Sequence, residues 1–239
     1  MSKRAMIDPL KHFNWQGIYR AYDLKCEESG RFEPNSPHLN CLGVRPASDR
    51  ELYYLLIEGF SSERIFSAGA SVETYEAMLY WKLYSQPAAV KNTCALYKTD
   101  SSVRDNAEKG LRSVAQKFYC RPGKTASEVL ALFGYFDGLR IRGMQGSCSL
   151  PVRATFLHFL YPDVVPLFDS MVLRAVGVAE KFANEKKSVL REYLEHAWLL
   201  AERYEPFRPS GSSETVLRLV DMALWVHRGN MRPSHVPQS

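Results

Sequence analysis

The chain has 239 residues, of which 46% are hydrophobic and 24% charged, and its formal net charge is +5. That is one large domain or two small ones with ample apolar material for a core, so neither a disulfide framework nor a structural metal is needed to hold it together. No apolar run is long enough to span a bilayer, no signal-peptide pattern opens the chain, and the five cysteines are odd in number with no closely spaced pair. The expected protein is therefore reduced, cytoplasmic and without a membrane partner.

Asp8-Pro9 has the form of a helix start, with Asp as N-cap and Pro in the first turn, and helical pattern runs patchily to about Leu24. Residues 26–47 are rich in Pro, Gly, Asn and Ser and predict a surface loop. Cys26, His38 and Cys41 fall in it as partial metal ligands, but no fourth ligand follows at zinc-finger spacing, so no metal is expected. Ser48 and Glu51 form a capping box ahead of the apolar run Leu52–Ile57, which Gly59 ends. From Ser71, Val72, Tyr75, Met78/Leu79 and Lys82/Leu83 recur at helical spacing until Gln86-Pro87. Val103, Ala107, Leu111, Val114/Ala115 and Phe118 line one face of the next helix, whose other face is charged.

A second capping box, Thr125 and Glu128, starts a helix predicted to end near Gly138. Ser149 is the expected N-cap of the following helix, which carries Pro151 in its first turn and runs to Leu160. After Tyr161-Pro162, the apolar segment Val164-Val165-Pro166-Leu167-Phe168 leads to Asp169, a natural N-cap for a short helix. A long helix from about Glu185 to Tyr204, a turn at 206–213, a helix from about Glu214 to His227 and a frayed tail from Gly229 complete the series. About eight helices and no strand series make an all-α fold, read as a single domain over 1–239, packed as two helical lobes.

Charge is placed unevenly. Lys109, Arg112, Lys117, Arg121, Lys124, Arg140, Arg142 and Arg153 face only Glu128 and Asp137 within their window, so the whole net positive charge of the chain falls there. A basic segment on a balanced background suits a polyanion, and a solvated basic surface accounts for it equally. Between Arg140 and Ser149, Gly143 and Gly146 let backbone approach a phosphate, and the next helix offers free N–H groups at its positive end. The same letters also suit a plain αα-hairpin with glycine in its connection. Asp169 carries a similar double reading: it caps a helix, and the same carboxylate can look into a cleft. His158, His196, Trp198 and Trp225 read as structural, and Arg218 and Asp221, three apart on the last helix, read as partners of each other or of another helix. No Walker loop, zinc-peptidase, nucleophile-elbow or dinucleotide motif is present.

Residues 125–176 resemble the helix–hairpin–helix DNA glycosylase superfamily, all-α base-excision enzymes with a Gly/Pro-rich loop followed by an essential Asp. Val165-Pro166-Leu167-Phe168-Asp169 is similar to the segment that delivers that Asp, with one extra residue, and 140–149 stands where the hairpin falls. The resemblance implies duplex DNA, with a damaged base, as partner. It implies Asp169 as the catalytic residue, Arg140, Arg142, Gly143, Gly146 and Arg153 as the DNA-binding set, and no cofactor. Two departures matter: Gly143 and Gly146 are spaced one residue wider than the family hairpin, and no Lys occurs between Lys124 and Lys181. Arg153 stands near where Schiff-base members carry their amine, and a guanidinium cannot replace it. The expected activity is monofunctional base excision; the alternative is a non-catalytic all-α relative that binds nucleic acid or protein.

Overall fold

A computed structural model describes residues 6–29, 32–60, 71–84, 86, 88, 101–115, 117–118, 121–139, 141, 143–144 and 149–228. Those residues contain α-helices and short 3-10 turns and no strand, which makes the fold all-α. The α-helices are α1 (Ile18–Ser29), α2 (Asp49–Gly59), α3 (Ser71–Leu83), α4 (Ser101–Ala115), α5 (Ala126–Gly134), α6 (Leu150–Leu160), α7 (Ser170–Ala175), α8 (Lys187–Tyr204) and α9 (Val216–Arg228). None is long and apolar enough to cross a membrane.

Most helix starts follow from side chains that satisfy free backbone donors. Ser48 Oγ accepts from Glu51 N at 3.2 Å, and Glu51 Oε2 reaches back one residue beyond the usual box to accept from Ala47 N at 2.6 Å. Thr125 Oγ1 accepts from Glu128 N at 3.3 Å and donates to Glu128 Oε2 at 2.9 Å. Thr215 Oγ1 accepts from Arg218 N at 3.2 Å at the start of α9.

Two expected starts differ. Asp8 caps only a turn, accepting from Leu10 N, and helix α1 begins ten residues later, after a 3-10 turn at Trp15–Gly17. It then continues to Ser29, into the stretch expected to be loop, which also holds a 3-10 helix at Pro37–Leu42. Asp8 is instead occupied by the far end of the chain: Tyr204 Oη donates to it at 2.9 Å and Arg203 pairs with it. Ser149, the expected cap of α6, has helical φ and ψ itself and makes no capping hydrogen bond with its side chain.

The buried apolar side chains form one continuous cluster drawing on every helix. Helix α9 lies at its middle, packed against α1, α7 and α8, while α3 packs on α2, α4 and α6. The first described segments therefore meet the last: Ile7 N donates to Val176 O, His196 Nε2 lies 3.0 Å from Ile7 O, and Arg218 NH2 donates to Tyr22 Oη at 2.9 Å. This arrangement brings the loop before α7, the end of α3 and one face of α9 to a common point.

Candidate functional site

Helix α7 has six residues and begins at Asp169, whose extended backbone turns the chain out of Val164–Phe168. Those five residues include four with no more than 3% exposure, so the loop is anchored in the core and Asp169 is held at its edge. Part of the anchor is His158, which is fully buried, with Nδ1 2.7 Å from Val165 O and Nε2 2.8 Å from Tyr53 Oη. Burial pushes its pKa down to about 3, so the ring is neutral.

Asp169 Oδ1 accepts from Met171 N at 2.8 Å and from Val172 N at 3.0 Å. Oδ2 accepts from Lys82 Nζ at 2.8 Å. Lys82 comes from α3, from within a run of otherwise buried side chains, and is nearly buried itself. Burial alone would raise the Asp169 pKa, but the charge and hydrogen bond of Lys82 and the two amides outweigh it and hold the carboxyl below its usual range. The side chain keeps 24% of its surface exposed, and three donors leave part of its lone-pair capacity free.

That remaining exposure opens on a cavity of about 330 Å³. Its polar wall is Asp169, Lys82, Asp49, Arg218 and Asp221, and its aromatic wall is Tyr22, Trp81, Tyr84 and Trp225. The volume sits at the lower end of the range for small-molecule pockets, about 300–1,000 Å³.

The far side of the cavity is built on α9. Arg218 is 1% exposed and lies 4.3 Å from the Tyr53 ring centre, 4.9 Å from that of Tyr22 and 5.4 Å from that of Trp81. It pairs with Asp221 through NH1 and stands 3.8 Å from Asp49, which accepts from Tyr22 Oη at 2.6 Å. An arginine buried among three rings is tolerated because acids and π faces replace its water. Burial pushes Asp221 up to about 6; Arg218 opposes this and the charge of Asp169 adds to it. Burial raises the Asp49 pKa too, again against Arg218. The Arg218–Asp221 pairing expected from their spacing is present, but it is buried rather than exposed.

The basic segment is placed more variously. Arg140, Arg142 and Gly146 lie outside the described residues. Gly143 sits at φ +82 in a tight turn closed by Met144 N donating to Ile141 O, and an added Cβ there would stand 3.2 Å from Tyr75 Oη. Its left-handed backbone and close packing on α3 call for glycine. Arg153 is 6% exposed and committed to internal partners, donating to Phe133 O at 3.0 Å, Met144 O at 2.9 Å and Asp137 Oδ1 at 2.6 Å. It holds the end of α5 to the turn at 141–144 and does not stand in solvent as a phosphate ligand does; its neighbours Pro151 and Val152 line the cavity. Lys109, Lys117, Arg121 and Lys124 are exposed, with Arg121 paired to Asp163.

Cys26, His38 and Cys41 have separate surroundings. Cys26 is buried with its thiol pushed up to about 12 by burial, His38 Nδ1 lies 3.5 Å from Glu76, and Cys41 donates to Glu73 O. Compared with known proteins, the chain matches no family model, no curated protein and no solved structure.

Lys82, Asp221 and Arg218 were absent from the sequence-derived site. The signal for them is a charge inside an apolar periodicity: Lys82 falls on the stripe of Val72, Tyr75 and Leu79, and Arg218 and Asp221 interrupt Val216–Leu224. A charge on a buried stripe has to find a counter-charge or a cavity.

Proposed function

We propose that this protein binds duplex DNA and releases a damaged base as a monofunctional glycosylase, with Asp169 as the catalytic carboxylate. The observation that carries the reading is the ionised Asp169 at the edge of a cavity of about 330 Å³ that has Trp81, Tyr84, Trp225 and Tyr22 as its aromatic wall. A base removed from the stack needs an aromatic enclosure of that kind, and breaking its bond to the sugar leaves positive charge on the sugar ring. A carboxylate held by three donors is a weak base, so its contribution is electrostatic: it stabilises the developing oxocarbenium ion, which water then captures. Lys82 keeps the carboxylate ionised and in place. Arg153 acts through the turn at Gly143 that it fastens, and the backbone there, with Arg140, Arg142 and Gly146 as its sequence neighbours, is proposed to meet the DNA phosphates together with the exposed cations of the basic segment.

The test is incubation with duplexes carrying a panel of modified bases, scored for abasic sites. Abasic-site formation by the native protein and its loss in Asp169→Asn support the enzyme. Salt-sensitive duplex binding with no base release on any substrate makes the protein a non-catalytic DNA binder, and absence of binding at low salt removes both readings.

A further inference from the structure

The cavity holds two further carboxyl groups that the excision reading does not yet use, Asp49 and Asp221. Asp221 lies on α9 opposite Asp169, lines the same cavity, and is only 8% exposed. Its surroundings differ from those of Asp169. Asp169 has two backbone amides and a lysine ammonium. Asp221 has Arg218, whose charge is shared with Asp49 and three aromatic faces. Arg218 also retains a buried Nε without a hydrogen-bond partner among the described residues. Of the three carboxyls in the cavity, Asp169 is neutralised by dedicated donors and is the ionised member; Asp49 and Asp221 share one arginine, and with Asp49 also committed to Tyr22 Oη, Asp221 is the proton-bearing member.

Resting on the excision reading, we propose that Asp221 is the general acid that protonates the departing base, and that the substrates of this protein therefore include neutral bases. The proton on the Asp221 carboxyl passes to a ring nitrogen of the base as the bond from sugar C1′ to the base nitrogen breaks, with the bonding pair leaving on the base. Water supplies oxygen to C1′, and the proton it loses passes to solvent, from which Asp221 is reprotonated. Asp169 stays ionised throughout. The groups that set the ionisation of Asp221 are Arg218 beside it, Asp169 and Lys82 across the cavity, Tyr22 and Asp49 behind the arginine, Tyr53 from α2 and Tyr193 from α8. With its carboxyl near 6, Asp221 carries its proton below that pH and loses it above.

Two duplexes test the assignment. One carries hypoxanthine, a neutral base that has to gain a proton on leaving. The other carries 7-methylguanine, a cationic base that leaves neutral without one. For the native protein, single-turnover release of hypoxanthine is expected to be level below about pH 6 and to fall about tenfold per unit above it, while release of 7-methylguanine shows no such fall. Asp221→Asn is expected to slow hypoxanthine release about 100-fold or more beyond whatever slowing it causes for 7-methylguanine. Equal slowing of both bases, no slowing of either, or a hypoxanthine profile without the break overturns the role of Asp221 and leaves the excision reading standing. Release of 7-methylguanine alone by the native protein does the same. Release of neither base overturns this assignment and counts against the excision reading as well. Should Asp221→Asn fail to fold because Arg218 loses its partner, the two native pH profiles decide alone.

Discussion

A carboxylate that accepts three hydrogen bonds is selected for ionisation, and Asp169 is such a group. Asn caps a helix as well as Asp does, so Asp169→Asn keeps the start of α7 while removing the charge. Base release is expected to fall about 100-fold or more in that variant with the far-UV circular dichroism unchanged; release at the native rate would remove Asp169 from the chemistry. Lys82 supplies from α3 the lysine that residues 125–180 lack, and its Nζ is engaged by Asp169. Borohydride added during incubation with damaged DNA is therefore expected to trap no covalent adduct, as gel mobility will show. An adduct that disappears in Lys82→Met would instead make Lys82 an amine nucleophile and the protein a lyase. Most of this was hidden in the sequence. Asp169 announces itself through the Val-Pro-Leu-Phe run and its capping position. Lys82 sits 87 residues earlier, and periodicity tells which face of a helix it occupies but not which distant side chain will meet it there.

At the level of elements, the legible signals were those in which a side chain serves its own backbone. Ser48 and Thr125 both cap as their spacing to Glu51 and Glu128 requires, and Ser48→Ala is expected to cost about 1 kcal/mol in a urea melt. Asp8-Pro9 carries an equally good local signal and yields only a turn, because Asp8 is drawn to Tyr204 and Arg203 almost 200 residues away. Long-range partners override local propensity there, and no window of neighbouring residues contains them. Arg153 shows the same effect with an opposite consequence. Arg153 reads as a DNA contact by its charge, yet its guanidinium fastens two carbonyls and Asp137. Arg153→Lys cannot reach all three acceptors with one ammonium, and is expected to cost about 1–3 kcal/mol through the charge-assisted hydrogen bonds it loses. A stability equal to native, measured by urea unfolding, would show that the clamp is dispensable.

For the whole molecule, acid stability is set by groups of opposite sign. His158 has a folded pKa near 3 against 6.5 for a free histidine, so between those values the unfolded chain takes up a proton that the folded one refuses. Stability from this source is full above about pH 6.5 and falls by up to about 1.4 kcal/mol per unit below it. Asp221, with a folded pKa of about 6 against 3.8, acts the other way, since the folded chain binds its proton first as the pH falls from 6 to 3.8; Asp49, raised by burial, adds in the same direction. Asp8 and Asp169 are lowered, and their contribution is lost only beneath the ordinary carboxylate range. The urea midpoint is therefore expected to change little between pH 6 and 4 and to drop steeply below 4. A steady decline beginning at 6.5 would mean that Asp221 and Asp49 do not retain their protons in the folded state.

The cavity draws Tyr22 from α1 and Asp221 and Trp225 from α9, so its walls are assembled across almost the full described length. Contacts of such sequence separation close large loops and form late in folding. As the chain leaves the ribosome, Asp169 and Lys82 can meet while Arg218 and Asp221 are still unmade. The aromatic rings that will surround Arg218 are meanwhile exposed, an invitation to aggregation or chaperone capture. Completion of α9 thus closes the core and creates the pocket in one event, and a nascent chain is expected to pass from sticky and inactive to folded and competent only when that helix docks.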